Sequence, residues 1–226
     1  MSEKPISRRE AAKADRRRRI VQAARDLIKE TGETGLSMRA IAARADVSLA
    51  TPYNLFGSKR AIIMALLDDV REFRERFTSL DRSSPLDRIF DALHLSMSYH
   101  VKDPDFYRTI WASILDTDST AEQRMELLPP ENEEFWRELL IDAQSEGVLA
   151  GDLSIDYVQR ELGHVFAACM LAWIFGVCQV DELEARIGYG FSLILTAAAS
   201  DAWQARARER ILDFQSRLEA GARKQA

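Results

Sequence analysis

Ten glycines and six prolines in 226 residues leave too few turn residues to punctuate a sheet, and no stretch of useful length alternates apolar with polar side chains. A sandwich or barrel is thereby excluded, and helix-forming residues dominate instead. Cysteine is equally scarce. Cys169 and Cys178 share one apolar segment, where helical spacing would hold them about two and a half turns apart, too far to bridge. A disulfide scaffold is therefore excluded, and a reducing cytoplasm is expected. Of the three histidines, His94, His100 and His164, no two share a ligand spacing with cysteine or carboxylate, and neither HExxH nor CxxC occurs, so no metal site is expected. A nucleophile elbow, a phosphate loop and a dinucleotide fingerprint are missing too, so neither catalytic residues nor a cofactor are expected. The longest apolar run, Leu162 to Val180, is interrupted by His164, two glycines and Gln179. It falls short of the roughly 20 residues a membrane span needs and reads as a buried helix. The N-terminal MSEKPISRRE has no apolar core and is not a secretory signal.

Charge is present in quantity but unevenly placed. The net value of −5 conceals +7 in residues 1–60 and −12 in the remainder, and a local basic footprint matters more for nucleic-acid binding than the overall sign. The length exceeds one typical domain of roughly 100 to 150 residues. The expected division is a basic domain over 1–60 and an acidic one over 61–226.

Within the basic part, the segment 37–57 reads as a helix-turn-helix. Ser37 can cap a helix starting near Met38, with Leu36 and Ile41 spaced as a hydrophobic staple. Ile41, Ala42 and Ala45 share one face, and Asp46 tolerates the left-handed corner such a motif requires. The second helix carries Ser48, Leu49, Ala50, Thr51, Pro52, Tyr53 and Asn54, groups suited to a base edge, a thymine methyl or a phosphate oxygen. Ser48 can cap this helix. Pro52, which disfavours helix at the preceding residue, instead favours a later start with Thr51 as cap. Upstream, Arg8, Arg9, Lys13 and Arg16 to Arg19 form a basic arm able to reach phosphates, and Ile20, Ala23, Ala24, Leu27 and Ile28 make an apolar stripe beneath the motif. Ser58 can cap a single long helix with Ile62, Ile63, Leu66, Leu67, Val70, Phe73 and Phe77 on one face. Lys59 and Arg60 at its start would anchor a phosphate, and the helix would couple the two parts.

Further on, Ser84-Pro85 and Asp103-Pro104 are cap-plus-proline starts, and Thr120 with Gln123 and Asp181 with Glu184 are capping-box patterns. Helices are expected near 85–101, 104–117, 120–128, 131–146, 154–179, 182–200 and 202–219, making the chain all-α. There is no internal repeat.

The chain resembles the TetR family of bacterial transcriptional regulators. The resemblance is carried by Ile41-Ala42, Asp46-Val47-Ser48, Thr51, Tyr53, Phe56 and Ser58-Lys59, whose order and spacing follow the family's motif. Asp46 and Ala50 stand where glycine is usual, and Pro52 where leucine is common. The resemblance implies that Ser48, Leu49, Ala50, Pro52 and Tyr53 face the major groove and that Ser37, Thr51, Tyr53 and Lys59 meet phosphates, with Arg39 and Arg44 beside them. It also implies a homodimer through the helices near 154–179 and 182–200, with a ligand cavity in each subunit and a near-palindromic operator whose half-sites lie about 34 to 36 Å apart. Phe106, Tyr107, Trp111, Phe135, Phe166, Met170 and Trp173 are the candidates to line that cavity, which suggests a small apolar or aromatic effector. The function expected is a ligand-responsive repressor; the alternative is a hydrophobic-ligand carrier or enzyme on a helical scaffold.

Overall fold

The computed structural model describes residues 8–32, 36–67, 70–80, 84–114 and 130–225. Among them it contains eleven helices and no strand: α1 (Arg8–Thr31), α2 (Met38–Arg44), α3 (Ala50–Phe56), α4 (Lys59–Met64), α5 (Val70–Thr78), α6 (Pro85–Lys102), α7 (Pro104–Ile114), α8 (Pro130–Ser145), α9 (Ile155–Ile174), α10 (Val180–Ala198) and α11 (Gln204–Gln225). The expected helix near 120–128 and its Thr120 cap lie outside the described residues. By contacts the chain forms two compact units, one of residues 1–69 and 105–129 and one of 70–104 and 130–226.

In the first unit, the α1 stripe of Ile20, Ala23, Ala24, Leu27 and Ile28 is buried together with Leu36, Ile41, Ala42, Ala45, Ile62 and Ile63. These side chains follow the helical period, so removing them from water holds α1, α2 and α4 together. Helix α7 also belongs here: its buried Phe106 lies beneath the Arg25 guanidinium, 5.2 Å from the ring centre, and the Lys29 ammonium, 5.5 Å away.

The long helix expected after Ser58 is two helices. Ser58 does cap the first, its Oγ accepting from Ala61 N–H at 3.1 Å. The helix then tightens, as Leu66 N–H turns to Ile63 C=O and Leu67 N–H to Met64 C=O, both at 3.0 Å. A switch from i−4 to i−3 bonding is how an α-helix commonly ends.

In the second unit, Ser84 caps α6 with Oγ accepting from Asp87 N–H at 3.1 Å, and the same hydroxyl donates to the Asp87 carboxylate at 2.6 Å. Asp87 is buried, yet Arg206 and Arg210 of α11 both donate to it, so a helix 119 residues further on is tied to the start of α6. Phe73 and Phe77 of α5 meet the Phe135 ring edge-on at 5.2 and 5.1 Å. Backbone bonds from Ala150 N–H to Ala198 C=O and from Ser200 N–H to Val148 C=O, each 2.9 Å, fasten the loop after α8 to the end of α10. Glycine permits the closest helix approaches: a Cβ on Gly188 would stand 2.4 Å from the Phe214 ring.

Two further expectations need correcting. The apolar segment holding both cysteines is not one helix, because α9 stops at Ile174 and Gly176, with φ 73°, reverses the chain before Cys178. Neither cysteine forms a disulfide, and burial pushes the Cys169 thiol up to about 11. Asp181 is no cap: α10 starts at Val180, and the carboxylate of Glu184 binds His94 and Arg217 at 2.9 and 2.7 Å. Among the described residues no helix is long and apolar enough to cross a membrane.

Candidate nucleic-acid interface

Local chemistry sets the entry to the helix-turn-helix. Ser37 is extended, with φ −132° and ψ 155°, and its Oγ accepts from Ala40 N–H at 3.1 Å, occupying one of the free donors of α2. At the other end Asp46 has φ 53°, the one positive φ among described non-glycine residues. Val47 N–H reaches back to Ala42 C=O at 3.0 Å and Asp46 N–H to Ala43 C=O at 3.2 Å. Those two bonds form a Schellman turn, in which the residue after the helix cap must be left-handed. Aspartate tolerates that conformation better than most side chains, which is why it can stand where glycine is common.

Helix α3 begins at Ala50, earlier than a Thr51 cap would allow. Leu49 is already helical, at φ −55° and ψ −31°, and no side chain caps the helix. Ser48 Oγ meets Thr51 Oγ1 at 2.9 Å instead of a backbone donor, while Thr51 N–H binds Ser48 C=O at 2.9 Å. Pro52 is the third helical residue. Its missing N–H falls among the first four, which have no intrahelical acceptor, so the ring is accommodated without a lost bond. Pro52 is also the buried residue of α3; its expected place against the major groove is thereby corrected, because a ring packed inward has no face left for a base.

The rest of α3 presents a continuous outer face. Ser48, Leu49, Ala50, Tyr53 and Asn54 are exposed, with Tyr53 at 50% and Leu49 at 43%, and Thr51 is half-buried. Charged side chains are missing from this face, so hydrogen-bond donors, acceptors and methyl groups are what it offers. Ser37 and Arg39 are exposed at the start of α2, and Lys59 is half-buried as the first residue of α4. Arg44 is committed elsewhere: it grips Glu30 of α1 with two bonds of 2.8 and 2.5 Å. That contact holds the Glu30 carboxyl below its ordinary range and the Arg44 guanidinium above its own.

Sequence reasoning missed how α1 grips the motif. Arg19 donates to the carbonyl of Ala45, the last residue before the turn, at 3.0 Å. Arg17 donates to Leu55 C=O at 3.3 Å, and its guanidinium lies over the Phe56 ring, 4.2 Å from the centre. Each cation sits at a helix C-terminus, where unpaired carbonyls and the negative end of the dipole favour it. The run of arginines signalled basicity alone.

The seven cavity candidates do not fall in one unit. Phe106, Tyr107 and Trp111 belong to the first; Phe135, Phe166, Met170 and Trp173 belong to the second. Met170 and Trp173 are fully buried and Phe166 is half-buried. Trp173 packs edge-on against His100 at 6.0 Å. The His100 ring is itself buried, with Nδ1 donating to Ser96 C=O at 2.9 Å, and burial drives it down to about 4. Among the described residues, no cluster of three metal-ligating side chains occurs.

Comparison with known proteins agrees with this geometry. Residues 20–66 match the family model "Bacterial regulatory proteins, tetR family", a span that runs from the buried stripe of α1 through α4. The HTH-type transcriptional repressor KstR of Rhodococcus jostii is 25% identical over 189 residues, covering 81% of this chain and 84% of the relative. Among solved structures, Thermus thermophilus FadR in complex with lauroyl-CoA superposes with a TM-score of 0.63 at 24% identity, over 80% of this chain and 93% of the other. Full-length TylP of Streptomyces fradiae superposes at 0.60 and 23% identity, over 90% and 97%. With its turn and its capped helices, the matched segment is a DNA-binding segment of the tetR-family type, and over most of its length the chain is similar to transcriptional repressors rather than to enzymes.

Proposed function

We propose that the chain is a cytoplasmic repressor that binds a near-palindromic operator as a homodimer and is released by a small, largely apolar effector. The observation that carries the proposal is the exposed, uncharged outer face of α3, held by a Schellman turn below and two arginine contacts behind. Ser48, Leu49, Ala50 and Tyr53 are its base-reading residues, with Ser37, Arg39, Thr51 and Lys59 on the backbone. Residues 1–60 do the reading and the remainder senses and dimerises.

Support for dimerisation comes from α9, α10 and the loop between them, where Tyr157 is 65%, Phe175 76%, Val177 73% and Leu193 47% exposed. Large apolar side chains in that number and exposure are what a partner would cover. An apolar effector is supported by Phe135, Phe166, Met170 and Trp173 and by the lauroyl-CoA bound to the FadR neighbour. Such an effector lowers operator affinity by the difference in its affinity for the two states, commonly about 1 to 3 kcal/mol.

Fluorescence anisotropy against the chain's own upstream DNA tests the reading. Tyr53→Ala should weaken operator binding by about 1 to 3 kcal/mol while leaving binding to random duplex nearly unchanged. Equal affinity and selectivity in wild type and variant would remove α3 as the reading element.

A further inference from the structure

Arg16 to Arg19 are indistinguishable in sequence, and the structure gives them different tasks. Arg18 is tied to Asp15, and Arg19 to Asp15 and to the Ala45 carbonyl. Arg17 is held by the Leu55 carbonyl and the Phe56 ring. Arg16 turns the other way. Together with Lys13 and Arg9, three and seven residues earlier and so on one helical face, it lines a groove of about 480 Å³ whose other residues are Thr51, Asn54 and Leu55 of α3. No carboxylate among the described residues pairs with Arg9, Lys13 or Arg16. Arg9 and Lys13 are exposed, so the groove opens to solvent, and it shares Asn54 with the exposed face of α3.

We propose that this groove seats the backbone of the duplex that α3 reads, with Arg9, Lys13 and Arg16 each neutralising a phosphate, and that Arg17 is a positioning residue that fixes the far end of α3 without touching DNA. Three unpaired cations beside two neutral polar side chains suit a polyanion, and a groove open at the surface admits a continuous strand where an enclosed pocket would take a single ion. Arg17 is excluded from the phosphate set because its guanidinium is already engaged on both its edge and its face. The inference rests on the reading of the chain as an operator-binding protein.

The two roles separate in the salt dependence of binding. A phosphate contact contributes about 0.9 to the slope of log affinity against log salt, equally for operator and random DNA, whereas a positioning contact changes operator affinity and leaves the slope alone. Anisotropy titrations over a range of salt would use the full-length protein, with far-UV circular dichroism confirming helicity for each variant. Arg9→Gln, Lys13→Gln and Arg16→Gln should each flatten the slope by about 0.9, and Arg16→Lys, which keeps the point charge, should retain it. Arg17→Lys should weaken operator binding by about fivefold to tenfold, the range of one hydrogen bond with its ring contact, at unchanged slope.

Unchanged slopes in the three glutamine variants would overturn the groove assignment. A flattened slope in Arg17→Gln, with Arg17→Lys indistinguishable from wild type, would show Arg17 to be a phosphate contact and overturn its positioning role. If wild type bound DNA with no operator preference, the operator reading would fail, while flattened slopes on random duplex would still support the groove.

Discussion

The two units differ in what they bury: both carry surface arginine–carboxylate pairs, but the second also encloses a carboxylate and a histidine. In the first, arginines stay at the surface and donate to helix-end carbonyls, as Arg17 and Arg19 do, or to exposed carboxylates, as Arg44 does. In the second, Arg206 and Arg210 converge on a carboxylate that is only 9% exposed, and His100 is held neutral inside. Of the five buried polar or charged side chains among the described residues, Ser84, Asp87, His100 and Ser192 belong to the second unit and Ser113 to the first. A surface cation remains available to a phosphate because water has kept it solvated, whereas a cation committed to a buried anion is structural, since removing either partner strands a charge. On the proposed assignment, Arg9 and Arg16 serve DNA in the first unit, whereas Arg206 and Arg210 serve architecture in the second.

The sharpest way to break this contrast is to remove the buried anion. Asp87→Ala deprives Arg206 and Arg210 of their partner and α6 of its capping box, and should lower stability by about 3 kcal/mol. That value is at the low end for a buried pair because both arginines are partly exposed, and a shift of the urea midpoint at constant slope would measure it. An unchanged midpoint would mean that burial of Asp87 is no more structural than the surface pairs.

Acid should expose the second contrast. The folded-state value of His100 lies below the unfolded value of about 6.5, so the unfolded chain takes up the proton first. Stability from this residue is intact above pH 6.5 and falls as the pH drops toward 4, by up to about 3 kcal/mol. Urea unfolding of wild type and His100→Gln across pH 4 to 7 should show the gap narrowing or reversing as the pH falls. Parallel curves would contradict the buried, neutral ring.

The smallest effect is expected from Glu30→Gln in the first unit, where the ion pair to Arg44 lies at the surface. Because the Glu30 carboxyl is held below its ordinary range, any contribution is present above its unfolded value and disappears as the pH falls through the folded one. The midpoint should barely move and should not move at all in high salt. Operator affinity is the more sensitive readout there, since the pair fastens α2 to α1.

How much of this was legible in the chain follows from the range of each interaction. The caps at Ser37, Ser58 and Ser84, the left-handed Asp46, the α1 stripe and the motif order all depend on residues within one or two helical turns, and all were readable. Three expectations failed for a common reason. Thr51 as a cap, Pro52 as a groove residue and one unbroken helix after Ser58 each assumed that local preference decides, and packing decided otherwise. The seven aromatic and apolar candidates divide between the two units, since periodicity shows that a side chain is buried but not in which unit.

By itself, then, the sequence determined an all-helical chain, a basic helix-turn-helix with its corner at Asp46, and the family that this segment matches, because helix period, caps and turn residues are local properties. Only the tertiary structure decided which arginines line the open groove and which are fastened to carbonyls or to Asp87, because those partners lie between 26 and 123 residues away and nothing in a run of identical side chains distinguishes them.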